Sequence, residues 1–180
     1  MNNINTQQLP FNITKHGNVS GVYFNNILEN VIKLIYYKKK IKVLDFGCGY
    51  GYLKKKLRTN KNVKVIGYDI VKQLSDINDW KKIKFDYFIS TQVFVYFTKK
   101  KLNQLVIYLK KNYPNVKVII TISNQGWLNK LGAYILNEPE AHTNFRLTPD
   151  QEIEIFKKHM KIIKKKNILF LSKMYLLKFK

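Results

Sequence analysis

Residues 43–53 read VLDFGCGYGYL: a short apolar run, an acid within it, then glycine at every second position, Gly47, Gly49 and Gly51. Glycine adopts backbone conformations closed to other residues and has no Cβ to hold a ligand away from the chain. Residues 52–59 (YLKKKLRT) then look helical. The run therefore predicts a tight strand-to-helix turn. Such turns belong to sheets whose strands alternate with helices, which limits the fold class before any other residue is read.

The rest of the chain carries the same alternation. Ile27, Val31, Leu34 and Ile35 fall on one helical face, after a polar, loop-like stretch with Pro10, Gly17 and Gly21 as breakers. Strands are expected at 41–46, 63–69 (VKVIGYD), 85–90 (FDYFIS) and 116–122 (VKVIITI). Leu102, Leu105, Val106 and Leu109 give a helix within 99–112, and 128–136 reads as another. Thr148-Pro149-Asp150-Gln151 has the form of a helix start, with Thr as cap, Pro in the first turn and Gln three residues on. The tail, 162–169 and 173–180, reads as two strands joined by a short turn. The expectation is an α/β doubly wound, Rossmann-like sheet of six to seven mostly parallel strands. An antiparallel C-terminal pair closes it, in one domain over 1–180. Ligands of such sheets bind beyond the carboxyl ends of the strands, where the glycines stand.

Composition narrows the function classes. With 46% hydrophobic residues the chain can bury a core and is not a disordered polymer. No apolar run approaches the roughly 18 residues of a membrane span. The first residues, MNNINTQQLPFN, lack the basic start and apolar centre of a secretion signal. Cys48 is the sole cysteine, so neither a disulfide framework nor a cysteine-based metal site is expected. A cytoplasmic protein without a bound metal is the plain reading. The net charge of +22 suits a polyanion, either nucleic acid or an anionic membrane surface touched peripherally. Of the 33 basic residues only Arg58 and Arg146 are arginine, the better residue for bidentate phosphate and base contacts. Drift toward AT-rich codons would also give such a charge, so nucleic acid is not the favoured partner.

The glycine run is G-x-G-x-G. A dinucleotide fingerprint would need a third glycine where Tyr52 stands, and there is no G-x-x-x-x-G-K-[ST] loop. Asp45 just before the turn would repel a pyrophosphate but suits a cationic amine. Asp69, 18 residues after Gly51, closes the second strand, where a carboxylate can accept both hydroxyls of a ribose. A ligand with a ribose, a cationic amino-acid end and no phosphate is S-adenosylmethionine.

On VLDFGCGYG, VIGYDI and FDYFISTQVF the chain resembles the class I S-adenosylmethionine-dependent methyltransferases, over roughly residues 24–180. The resemblance implies that Asp45 and Gly47 line the methionine end, that Cys48 is among the cofactor-binding residues and that Gly49 and Gly51 let the cofactor lie across the turn. It implies that Asp69 holds the ribose and Ile70 packs on the adenine. Only 16 residues separate Asp69 from Phe85, too few for the usual helix and third strand. Ser75-Asp76-Ile77 then stands for the adenine-contacting acid and its neighbour, with Asp79 as the competitor. Cys48 reads as a small turn residue rather than a nucleophile.

Strand four of the family ends here as Ser90-Thr91-Gln92-Val93, without the Asn/Asp-Pro-Pro-aromatic pattern of base-amino methyltransferases. Gln92 is read as a contact to cofactor or acceptor. Residues 124–148 resemble the lid of small-molecule methyltransferases, with Trp127 and Tyr134 as wall candidates and His142 as candidate base or acceptor contact. Arg146 is read as the partner of an anionic acceptor group or of Glu138 or Glu140. The N-terminal segment 1–23, with His16 and Tyr23, is a candidate cover for the cofactor. The resemblance implies methyl transfer to a small-molecule, glycan or lipid-linked acceptor, with oxygen the expected atom. An RNA methyltransferase and a non-catalytic cofactor-binding partner protein are the alternatives.

Overall fold

The computed structural model describes residues 18–124 and 146–180. His16, the helix expected at 128–136, Trp127, Tyr134, Glu138, Glu140 and His142 lie outside the described residues. Helix α1 (Asn18–Ile32) leads into β1 (Ile41–Phe46), α2 (Tyr52–Leu57) and β2 (Val63–Tyr68). Then come β3 (Tyr87–Thr91), α3 (Lys99–Asn112), β4 (Lys117–Ser123), α4 (Pro149–His159), β5 (Met160–Ile168) and β6 (Ser172–Phe179). The strands form one sheet in the order β2-β1-β3-β4-β6-β5. β2, β1, β3 and β4 run parallel, while β6 is antiparallel to both β4 and β5. This is the doubly wound sheet with an antiparallel end that the sequence predicts, with six strands. The chain turns to opposite sides of β1 for β2 and β3, so a crevice opens beyond the carboxyl end of β1.

Both faces of the parallel strands are covered, as parallel sheets require. Ile27, Leu28 and Val31 of α1 and Leu53 and Leu57 of α2 pack with Val43, Val65 and Ile89 on one face. Leu102, Val106 and Leu109 of α3 and Ile153 and Phe156 of α4 pack with Leu44, Phe88 and Ile120 on the other. α4 starts as its sequence predicts. Gln151 donates its N–H to Thr148 Oγ1 at 3.3 Å, and Thr148 donates its N–H to Gln151 Oε1 at 3.2 Å.

Two departures from expectation have physical reasons. α1 begins at Asn18 and runs through Gly21, where a broken loop was expected. A helical glycine costs about 1 kcal/mol relative to alanine, which the complete burial of Ile27 and Val31 outweighs. Between β2 and β3 there is no third strand, only two short 3-10 turns, Lys72–Leu74 and Trp80–Lys82. The edge of β2 is closed by a single residue instead. Asp76 donates its N–H to the Gly67 carbonyl at 2.9 Å, and Gly67 donates its N–H to Asp76 Oδ2 at 2.7 Å. Trp80, buried against Phe46, Phe88 and Tyr108, anchors the remainder of the segment.

Candidate functional site

The turn after β1 has positive φ at Gly47 (76°), Gly49 (49°) and Gly51 (69°). At Gly47 space is lacking as well: a Cβ there would stand 2.3 Å from Val93 Cγ2. Gly67, which the sequence reading passed over, is needed for a similar reason. A Cβ on it would meet Cys48 Sγ at 2.7 Å and Asp76 Oδ2 at 3.3 Å. A glycine inside a strand pattern is the signal that marks such a close approach.

Four backbone donors of the turn, those of Gly47, Cys48, Gly49 and Gly51, are already engaged. Gly47 and Cys48 both donate to the Tyr68 carbonyl, at 2.7 and 3.1 Å. Gly51 donates to the Cys48 carbonyl at 2.9 Å, and Gly49 donates to Asp69 Oδ2 at 2.9 Å. A phosphate cradle works by offering such N–H groups to the anion. Here the chain itself takes them up, and one acceptor is a carboxylate that would repel a phosphate.

Three acids surround the turn. Asp45 is 3% exposed, in register with Gly67 on one side and Ile89 on the other. Burial pushes its carboxyl up to about 7, and the charges of Asp69 and Asp76 add to the push. Among the described residues no group donates a hydrogen bond to it. Asp69 accepts from the Val71 N–H at 3.0 Å besides that of Gly49, and its own N–H donates to Ser75 Oγ at 3.1 Å. Asp76 is drawn toward Lys54, whose Nζ lies 2.6 Å from Oδ1. Its partial burial works to raise its pKa, but the Lys54 and Gly67 N–H hydrogen bonds outweigh that and lower it.

A cavity of about 330 Å³ opens beside the turn, and Asp45, Cys48, Gly49, Gly51 and Asp76 all line it. Tyr50 also lines it, a residue the motif reading treated as a spacer; its hydroxyl is buried without a partner among the described residues. The motif gave no signal for Tyr50, because the x of G-x-G-x-G accepts any side chain. Burial, followed by the charges of Asp45, Asp69 and Asp76, pushes the Cys48 thiol up to about 12, so the thiolate nucleophile is suppressed. Ile70 is 72% exposed just past β2, an apolar surface at the tip of the strand. Ile77 packs on the core and borders a separate groove of about 550 Å³ along the β2 edge, with Val63, Val65 and Ile66. Of the paired candidates, Asp76 faces the cavity, whereas Asp79 caps the 3-10 turn by accepting the Lys81 N–H at 3.0 Å.

Gln92 stands just beyond β3 with φ at 57°, an unusual conformation for a residue with a side chain. Its amide donates to Tyr23 Oη at 2.9 Å and to Ser172 Oγ at 3.0 Å, and the two hydroxyls bond to each other. This triangle ties α1 to the ends of β3 and β6. Because β6 is antiparallel to β4 and Ser172 pairs with Ser123, it lies at the same carboxyl edge as the glycine turn. Tyr23 and Gln92 were flagged separately by sequence; Ser172 carried no signal. Arg146 is exposed, its backbone N–H donating to the Val95 carbonyl at 2.9 Å.

No family model matches the chain, and no curated protein matches it. Solved structures do. The PH0226 protein from Pyrococcus horikoshii OT3 superposes with a TM-score of 0.67 at 19% identity, over 97% of each chain. Magnesium protoporphyrin IX methyltransferase (ChlM) from Synechocystis PCC 6803, with bound SAH, gives 0.61 at 12% identity, over 93% of this chain and 90% of that one. Human N-acetylserotonin methyltransferase, in complex with SAM, gives 0.56 at 17% identity, over 77% of this chain and 47% of that one. The chain shares its fold with these structures, methyltransferases among them. No helix among the described residues is long and apolar enough to cross a membrane.

Proposed function

We propose that this chain binds S-adenosylmethionine at the glycine turn and transfers its methyl group to a small-molecule, glycan or lipid-linked acceptor, at oxygen. One observation carries the reading: a turn bare enough for a ligand to lie on, with the N–H groups of its three glycines and of Cys48 internally engaged and three acids around it. Asp45 and Asp69 beside the turn favour a cationic ligand end there over a phosphate, while Lys54 and Lys55 line the cavity next to Asp76. The solved relatives that hold SAM or SAH in the same fold support it.

The residues present fit that group. Asp45 would face the cationic methionine end, and Tyr50 offers it a hydroxyl without a partner among the described residues. Asp69 keeps lone pairs beyond its two backbone bonds for the ribose hydroxyls. Ile70 presents an apolar face, and Asp76 a carboxylate, to the adenine. The bound cofactor supplies a methyl group already activated by a sulfonium. The chain's own task is to orient the acceptor and exclude water. Gln92, held by Tyr23 and Ser172, would contact the cofactor or the acceptor. His142 remains the candidate base.

Calorimetric titration with S-adenosylmethionine and its demethylated product tests the cofactor. Wild type should bind both at micromolar levels. Asp69→Ala should abolish binding, and Ile70→Asp, an exposed change that leaves the melting temperature in place, should weaken it at least tenfold. No binding by wild type would overturn the reading. Binding without turnover on any hydroxylated acceptor would favour the non-catalytic partner protein, and turnover on RNA the nucleic-acid enzyme.

A further inference from the structure

The turn joining β5 to β6 has a composition that its geometry does not favour. Leu171 donates its N–H to the Ile168 carbonyl at 3.0 Å, closing a four-residue turn. Its central residues are Leu169 at φ 46° and Phe170 at φ 59°. Positive φ at both central positions is the type I′ geometry, which selects Asn-Gly and penalises large side chains. Leu169 is 53% exposed and Phe170 79% exposed. Two strained residues whose large apolar side chains stand in solvent serve neither the turn nor the core. Asn124 holds the strain in place: its amide donates to the Phe170 carbonyl at 2.7 Å and its N–H to the Leu171 carbonyl at 2.8 Å.

The hairpin itself is cationic. Lys161, Lys164, Lys165 and Lys166 of β5 are exposed, Lys173 follows the turn, and no Asp or Glu occurs between Met160 and Lys180. Lysines on an edge strand also discourage edge-to-edge pairing, which accounts for β5 alone. It does not account for a strained Leu-Phe tip, since a polar tip would protect the edge better.

We propose that the β5–β6 hairpin docks the protein on an anionic lipid surface, with Leu169 and Phe170 entering the acyl boundary and the lysines meeting the headgroups. Charge complementarity selects anionic lipid, and the apolar tip selects a bilayer over a purely polar polyanion such as RNA. Ser172 pairs with Ser123 at the carboxyl edge of the sheet, so the tip and the glycine turn share one edge. Docking would bring the crevice to the interface. The proposal concerns docking alone and holds whatever the chain transfers.

The test is co-sedimentation with phosphatidylcholine vesicles, with and without about 30% phosphatidylserine, for wild type and the double variant Leu169→Asn/Phe170→Gly. Asn-Gly suits the turn, so the variant should melt at or above the wild-type temperature, and lost binding cannot be put down to unfolding. Expected are wild-type binding to the anionic vesicles only, weakening as salt rises, and binding at least tenfold weaker in the variant. A variant that binds as wild type does would overturn the insertion. So would wild type that ignores both vesicles, including the case in which it self-associates through the tip or binds RNA instead.

Discussion

Two turns at the same edge of the sheet both need positive φ, and they meet the need in opposite ways. After β1 the chain places glycine at each such position, Gly47, Gly49 and Gly51. Between β5 and β6 it places Leu169 and Phe170. In the first turn side chains are removed so that something can approach the backbone. In the second they are kept despite the strain, so the side chains themselves are what the turn presents. A positive φ filled by glycine points to a close approach, and one filled by a large exposed residue points to the residue.

The largest test of this contrast is Gly47→Ala. Overpacking against Val93 and the left-handed conformation should together destabilise the fold by roughly 3–4 kcal/mol in urea unfolding. Gly49→Ala separates the two causes. Nothing lies within 4 Å of its Cβ, so only the backbone term of about 1–2 kcal/mol should remain. Equal losses at the two sites would mean that space is irrelevant to the turn.

Asp45 offers the next test, because a site kept for a cation should be strained when empty. Its folded pKa, about 7, stands above the ordinary carboxyl value of 3.8. The folded state therefore binds more protons than the unfolded state between those values, and stability falls as pH rises through that window. Asp45→Asn should then match wild type near pH 4 and exceed it at pH 8 by on the order of 2 kcal/mol. Cofactor affinity should fall at least tenfold in the variant. In wild type it should weaken below about pH 7, where Asp45 takes up a proton. Glu152, buried in α4 and raised by burial to about 8, pushes stability in the same direction over an overlapping window. The pH profile must therefore be read as the difference between wild type and variant.

The smallest effect is expected at the hairpin. Leu169→Asn/Phe170→Gly relieves two left-handed residues, and the hairpin should gain about 1–2 kcal/mol, seen as a higher melting temperature. A loss of stability would mean that the apolar tip packs usefully within the chain, and the contrast between the two turns would collapse.

Local chemistry made much of the fold legible. Glycine spacing, strand-length apolar runs and the Thr148 cap are written in neighbouring residues, so sheet, helices and turn follow from sequence. Asp45 and Asp69 were legible as strand-end acids beside the turn because motif spacing puts them there. The start of α1 was not legible, because Gly21 argues against a helix that distant packing sustains. Asp76 could be flagged but not given its surroundings, since its partners Lys54 and Gly67 are brought to it only when β2 becomes an edge.

The sequence by itself determined the alternation of strands and helices, the bare turn and the acids beside it, because each depends on residues a few positions apart. Only the tertiary structure decided that the N–H groups of Gly47, Cys48 and Gly49 are engaged by Tyr68 and Asp69, that Asp45 is buried among like charges, and that Leu169 and Phe170 stand exposed in left-handed backbone. Those facts depend on burial and on partners distant in the chain, and both come into being when the sheet assembles.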